Sequence, residues 1–441
     1  MFKNVLSYFH PSPVVEPDIS ESPAQMRKRY IKLRWQVFIS ATLGYGLYYV
    51  CRLSLNIIKK PLIEHDILSE SQLGIVGSAL FFAYAAGKLV NGFLVDRSNI
   101  RTFMAFGLLI SALINLCLGF TGSFLFFCIL WGVNGWFQSM GAPPAIVSMS
   151  RWFTNKERGT YYGFFSASHN LGEAFTYIFT ALLVSLAGWK WGFFGAGMAG
   201  VLGIILIMLF LHDSPQSKGL PPVIETASKK EIGKLQLSVL KNRALWVLAI
   251  SSSLMYISRY AITSWGILFL QEHRHYGAVE ASFIISISSV SGIFGNVISG
   301  WISDRFFNSN RNIPALLFGI LNTVSIAGFL LVPTGYVWVE YVSMGTFGVS
   351  IGVLICYLAG LMAVDIMPKA VSGAAIGVVG IASYIGAGLQ DIISGKIIEE
   401  GKSVVNGVAV YDFSGLMIFW IGSAAMSFLI CLFIWNVKAR N

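Results

Sequence analysis

Tyr256-Ile257-Ser258-Arg259 lies inside an apolar stretch running roughly from residue 244 to 270. The nearest charges are Arg243, sixteen positions before Arg259, and Glu272, thirteen after it. At about 1.5 Å per residue, a helix puts each of them roughly 20 Å away. A guanidinium cannot snorkel that far, and one buried in a membrane faces a partner or a polar cavity. An earlier stretch, Tyr49-Val50-Cys51-Arg52, repeats the pattern 207 residues upstream, again in the first apolar segment of a half. For Arg52 alone, snorkelling to the helix end competes, because Lys59 is only seven positions on. Two inward arginines on symmetry-related helices make a site for a doubly charged anion, and phosphate is the obvious one.

The composition places both stretches in a membrane protein. Hydrophobic residues make up 55% of the 441, and charged residues only 12%, about half the roughly 25% of soluble chains. Mean hydropathy is +0.68. Aqueous enzymes and nucleic-acid binders are thereby disfavoured. No nucleophile–base pair or metal-spaced cluster stands out, and no cofactor is implied. The net charge of +10 is carried mostly by loop Lys and Arg, the residues that set topology. Residues 1–34 are polar, so a cleavable signal is not expected. The five cysteines (51, 117, 128, 356 and 431) all fall in apolar segments without paired spacing. They read as small core residues.

Twelve apolar segments are expected, each long enough to cross a ~30 Å hydrocarbon core. Six lie near 35–58, 72–95, 102–120, 124–150, 160–187 and 190–211. Six more lie near 244–271, 278–303, 313–332, 336–365, 370–398 and 413–437. The organisation is then an N-terminal tail (1–34), a six-helix half (35–211), a polar linker (212–243), a second six-helix half (244–437) and a C-terminal tail (438–441). The first tail, with Pro11, Pro13, Pro17 and Pro23 before Arg27-Lys28-Arg29, reads as a mobile arm and a basic anchor. Arg97, Arg101, Arg151, Lys156, Arg158, Lys218, Lys229, Lys230, Lys234, Arg305, Arg311, Lys369, Lys438 and Arg440 fall on one side of a twelve-span chain. That side is therefore cytoplasmic and holds both termini. Lys59, Lys60 and Arg274 are outnumbered exceptions.

The halves repeat. Gly92-Phe-Leu-Val-Asp96-Arg97 matches Gly300-Trp-Ile-Ser-Asp304-Arg305, 208 positions on. Gly159, Gly163 and Gly172 match Gly373, Gly377 and Gly386, 214 positions on. Six plus six helices with parallel repeats is the all-α architecture of the major facilitator fold, whose substrate sites lie at the midplane between halves.

Helical spacing puts Tyr45, Tyr48, Tyr49 and Arg52 on one stripe, and Tyr84, Lys88 and Asn91 on another. Tyr162, Ser166, His169 and Glu173 share a face of segment five, and segment seven offers Tyr256, Arg259, Tyr260 and Thr263. Tyr357, Tyr384 and Asp391 complete the candidates. Each has a plain alternative. Membrane tyrosines are more often packing or interfacial than ligand contacts. His169 is one turn from Glu173, so a simple His–Glu hydrogen bond competes with a charge-carrying role. Lys88 is a third phosphate-side cation or a carboxylate's structural partner. Asp391 accepts a substrate hydroxyl or pairs with Lys396. Asp96-Arg97 and Asp304-Arg305 read as gate or turn salt bridges.

Long runs also resemble the organophosphate:inorganic phosphate antiporters. They are Gly87-Lys88-Leu-Val-Asn-Gly92-Phe-Leu-Val-Asp96-Arg97, Gly141-Ala-Pro143-Pro144 leading to Arg151-Trp152-Phe153, and Ser168-His169-Asn170-Leu-Gly172. Tyr384-Ile-Gly-Ala-Gly-Leu-Gln390-Asp391 looks most like the branch of hexose-6-phosphate transporters and hexose-phosphate sensors. The resemblance implies that Arg52 and Arg259 hold the phosphoryl group, with Lys88 and His169 assisting; helical placement puts Tyr45, Tyr49, Tyr256, Tyr357, Tyr384 and Asp391 around the substrate as candidates. It implies exchange of a sugar phosphate, glucose-6-phosphate foremost, for inorganic phosphate across a bacterial inner membrane. A sensor that signals to a histidine kinase, a glycerol-3-phosphate exchanger and a proton-coupled anion symporter are the alternatives. Two positions depart from the family. Ala142 stands where a Trp is usual, and Glu173 where a small residue is usual. A carboxylate at 173 repels phosphate unless protonated or paired, with Lys88 or His169 as the expected partner.

Overall fold

The computed structural model describes residues 9–16, 21–222, 239–307, 310–367 and 371–435. Pro17, Lys229, Lys230, Lys234, Lys369, Lys438 and Arg440 lie outside the described residues, as do the surroundings of Gly159 and the side chains of Asp96, Lys156, Arg158 and Tyr162. The first half consists of α1 (Pro23–Glu64), α2 (Glu70–Leu94), α3 (Ile100–Leu118), α4 (Phe124–Gln138), α5 (Ala142–Trp152), α6 (Asn155–Ala187) and α7 (Trp189–Phe210). The second consists of α8 (Arg243–His273), α9 (Ala278–Phe306), α10 (Asn312–Leu331), α11 (Val337–Cys356), α12 (Met362–Ile366), α13 (Ser372–Glu400) and α14 (Ser414–Cys431). A π-helical turn, Tyr357–Leu361, joins α11 to α12. Among the described residues, ten stretches are long and apolar enough to cross a membrane by themselves. α1, diluted by tyrosines and Arg52, and the split pair α4–α5 complete the twelve crossings.

Local chemistry accounts for the helix ends. Ser22 and Ser69 each cap a helix reciprocally with a Gln three residues on, Gln25 and Gln72. Asn99 and Asn242 cap α3 and α8 by accepting from Thr102 and Leu245. Segment four, expected as one run, is broken at 139–141. Pro143 and Pro144 lack the N–H groups that would continue α4 and sit instead at the start of α5. α1 begins at Pro23, inside the stretch assigned to the tail. The described part of that tail is tied down rather than free. Asn99 N donates to the Phe9 carbonyl at 2.7 Å, and Ser12 N donates to Asp213 at 2.9 Å. After α13 comes an unexpected hairpin, β1 (Lys402–Val405) against β2 (Val408–Tyr411), turned by Asn406-Gly407 with positive φ at both.

One pair of the repeated glycines, Gly172 and Gly386, marks helix crossings. A Cβ on Gly172 of α6 would lie 2.4 Å from the Gly46 carbonyl of α1, and one on Gly386 of α13 would lie 2.2 Å from Ser253 Oγ of α8. Gly46 and Ser253 stand 207 positions apart, the same offset as the two arginines. Small residues let these backbones approach, as membrane helices require. Large apolar side chains such as Leu202 and Leu209 of α7 and Val324 of α10 are exposed around the outside, as expected of a lipid-facing surface.

The two ends of the molecule differ. On the side away from the chain termini, α2 and α13 from opposite halves touch backbone to backbone. A Cβ on Gly74 would lie 2.4 Å from the Asp391 carbonyl, and one on Gly395 would lie 2.5 Å from the Glu70 carbonyl. On the termini side, Gly92, Gly163, Gly300, Gly373 and Gly377 all face open space. The halves are thus joined at the far side and parted at the termini side.

Candidate substrate site

At mid-depth the two arginines converge. Arg52 on α1 is 3% exposed and donates from Nη2 to the Tyr260 hydroxyl of α8 at 3.3 Å. Arg259, 7% exposed, lies 5.2 Å from the centre of the same Tyr260 ring. One tyrosine therefore bridges cations from both halves. The remaining wall is aromatic. The Arg52 guanidinium sits 4.3 Å from the Tyr84 ring and 5.5 Å from both Tyr49 and Tyr384. Ring faces attract a desolvated cation, and here they take the place of a carboxylate. Arg52 makes no ion pair among the described residues, and its Nε is buried without a hydrogen-bond partner there. Tyr384 also packs on Tyr84 at 4.6 Å and Tyr256 at 5.5 Å, closing the cage from the second half.

Three predicted residues stand beside this cage. Lys88, half-buried, points its Nζ at the Tyr384 ring 5.4 Å away. His169 packs on Tyr49 at 5.8 Å, and Tyr49 on Tyr45 at 5.6 Å. Glu173 bonds neither His169, the partner that spacing along α6 offered, nor Lys88. It faces Arg259 across the interface at 3.6 Å and accepts from the Tyr177 hydroxyl at 2.9 Å. One helical turn joins positions 169 and 173, but the stronger charge comes from α8.

Two others stand apart. Tyr357 is fully buried at the π-turn, and its hydroxyl donates to the Ser299 carbonyl at 2.6 Å. Asp391 lies two turns beyond Tyr384 toward the closed side and accepts from Trp265 Nε1 at 2.9 Å. The Asp391–Lys396 pair does not form. Lys396 is exposed and pairs with Glu400 at 3.7 Å. The sequence reading passed over Lys59, which is 1% exposed, with its Nζ 3.4 Å from the Trp265 ring centre. Its isolation among Ile57, Ile58 and Leu62 was a signal, but the adjacent Lys60 made the pair look like a helix end. Lys60 does reach the surface and pairs with Glu272 at 2.9 Å.

Of the turn motifs, Arg97 and Arg305 are exposed, and Asp304 accepts from the Ser303 hydroxyl at 3.2 Å. Ion pairs at the termini side include Arg151–Asp213 at 2.7 Å, Arg34–Glu157 at 2.9 Å and Arg311–Asp365. Asp213 also accepts from Ile100 N at 3.1 Å, so it fastens the start of the linker to α3 and α5. Among the described residues no cluster of metal-ligating side chains occurs.

Two six-helix halves with a buried cationic site between them define a membrane carrier fold. Residues 41–390 match the Major Facilitator Superfamily, and the chain belongs to it, in the organophosphate:inorganic phosphate antiporter branch. A probable hexose phosphate transport protein of Chlamydia pneumoniae is 32% identical, with 99% of each chain covered. The glycerol-3-phosphate transporter of Bacillus subtilis is 30% identical, again over 99% of each. The membrane sensor protein UhpC of Escherichia coli is 32% identical over 84% of this chain and 87% of its own. The fold is shared with the crystal structure of a bacterial homologue of the human lysosomal transporter Spinster. That likeness has a TM-score of 0.71 at 17% identity and covers 91% of this chain and 95% of the other.

Proposed function

We propose that the protein exchanges a sugar phosphate, glucose-6-phosphate foremost, for inorganic phosphate by alternating access. The observation that carries this is the sharing of Tyr260 by Arg52 and Arg259, one cation from each half. A phosphate monoester brings about −1.5 to −2 charges at neutral pH. Two buried guanidiniums repel each other and are costly in a membrane. An anion bound to both neutralises them and draws the halves together, which lowers the barrier to rocking. Glu173 offsets part of the charge in the empty site, and a bound anion offsets the rest, so exchange is favoured over leak. The names of the relatives support an organic phosphate as substrate. The bacterial relatives support an inner-membrane location, and the excess of Lys and Arg on the termini side supports both ends in the cytoplasm, so that the cavity opens inward.

The test is uptake of labelled glucose-6-phosphate into proteoliposomes with and without trapped inorganic phosphate. Uptake only with phosphate inside is expected. Arg259→Lys should lower it at least 100-fold, because an ammonium cannot engage two phosphoryl oxygens in a fork. Uptake that is indifferent to trapped phosphate, or normal turnover in that variant, overturns the reading. A second reading has its own observation: identity to the sensor, 32%, equals identity to the chlamydial transporter. Binding without uptake in either condition would favour a receptor that signals to a kinase.

A further inference from the structure

A second polar feature lies beside Arg259. Between α6, α8, α9 and α11 is a cavity with about 20 Å³ of water-accessible space, lined by Asn170, Arg259, Thr263, Ser289 and Gly292 among others. That is room for one water or one hydroxyl group, since a single water needs about 10–15 Å³ by this measure. Three of its polar groups are orphans. Asn170 Nδ2, Thr263 Oγ1 and Ser289 Oγ are buried with no hydrogen-bond partner among the described residues. Their residues are only 6%, 4% and 4% exposed. Each such group costs about 1–3 kcal/mol if left unpaired. Three around one small space, contributed by both halves, point to a group that both donates and accepts.

We infer that this cavity receives one hydroxyl-bearing arm of a polyhydroxylated phosphate ester, and so sets which organic phosphates bind. The inference rests on the reading of the arginine site as a phosphate site. A neutral hydroxyl suits the lining on three counts. It accepts from the Asn170 amide and donates to a Ser or Thr oxygen. A second anionic group is repelled by Glu173, which also lines the cavity, and an ammonium by Arg259. An apolar arm leaves all three orphans unpaired. Gly292 sets the depth. A Cβ there first meets Asn170 Oδ1 and the Gly348 carbonyl, both at 3.4 Å, so an added methyl fits but fills the space.

The experiment is calorimetric binding of glucose-6-phosphate, its 2-, 3- and 4-deoxy analogues, and inorganic phosphate to the full-length protein in nanodiscs. In the wild type, loss of one particular hydroxyl should weaken binding at least tenfold. Ser289→Ala and Gly292→Ala should each weaken glucose-6-phosphate at least tenfold more than they weaken inorganic phosphate. In those variants, the same deoxy analogue should then lose little further affinity, because hydroxyl and partner act as a pair. Deoxy analogues that all stay within tenfold of the parent overturn the inference without needing any variant to fold. So do variants whose effects add fully to those of the analogues. Failure of phosphate-driven uptake in liposomes would strike the exchange reading alone, since these affinities are measured without transport.

Discussion

Glu173 stands 3.6 Å from Arg259 and accepts a hydrogen bond from Tyr177, so it offers Arg259 the negative charge that a phosphoryl oxygen would bring. The two compete for one guanidinium, and a charge-assisted contact is worth about 1.5–3 kcal/mol. Glu173→Gln keeps an acceptor for Tyr177 but gives up the charge. Titration calorimetry should then show inorganic phosphate binding roughly tenfold more tightly, 1.4 kcal/mol being tenfold. Unchanged or weaker binding would mean that the carboxylate serves the fold and not the anion. This contact also marks a limit of reading sequence. The departure at 173 was visible, and so was its need for a partner. Spacing along α6 offered His169, whereas the partner came from α8 in the other half, which no periodicity within one helix can reveal. Arg259 itself was legible because fifteen uncharged residues on one side and twelve on the other left no outlet to water.

α1 carries a second cation two turns beyond Arg52, and here helices from both halves meet. Lys59 is buried with its Nζ unbonded among the described residues, stacked on the Trp265 ring of α8, while Trp265 donates to Asp391 of α13. Asp391 also lies against Gly77 of α2, where a Cβ would come within 2.0 Å of Oδ2. The cluster therefore exists only while the far side is shut. Leaving Lys59 buried without the nearby carboxylate charge is costly, and about 5.5 kcal/mol moves a two-state balance from 1:99 to 99:1. Asp391→Asn should accordingly shift a large share of molecules to a far-side-open state. Spin labels on Gln72 and Lys396 would report this as a longer α2–α13 distance. Lys59→Met in the same chain should restore part of the short distance. An unchanged distribution in the single variant would remove the cluster from the closure. The helices themselves were legible from apolar run lengths and caps. The break at 139–141 follows from Pro143-Pro144, which was quoted but not weighed as a stop. The hairpin at 402–411 was not anticipated: it falls in the gap between the expected segments 370–398 and 413–437, where Asn406-Gly407 between short valine runs was the available signal.

For the molecule as a whole, the repeat offsets encode more than homology between halves. Gly172 and Gly386 hold each half together against Gly46 and Ser253, contacts internal to a half that rocking leaves intact. Gly74 and Gly395 do something different, because they sit between halves and let α2 and α13 meet backbone to backbone. A carrier must make and break that contact once per cycle, so the fit has to be tight in one state and absent in the other. Gly74→Ala would put a methyl 2.4 Å from the Asp391 carbonyl, 3.2 Å from its carbon and 3.3 Å from Gly395 Cα. None of these is a side-chain end that can rotate away, so the helices must part. Gly377→Ala is the matched control, since its Cβ meets nothing within 4 Å on the open side. Gly74→Ala should lengthen the labelled α2–α13 distance and slow exchange more than tenfold, while Gly377→Ala leaves that distance short. If Gly74→Ala turns over normally with the short distance retained, far-side closure does not depend on backbone contact at this crossing, and the Lys59 cluster must hold the halves together without it.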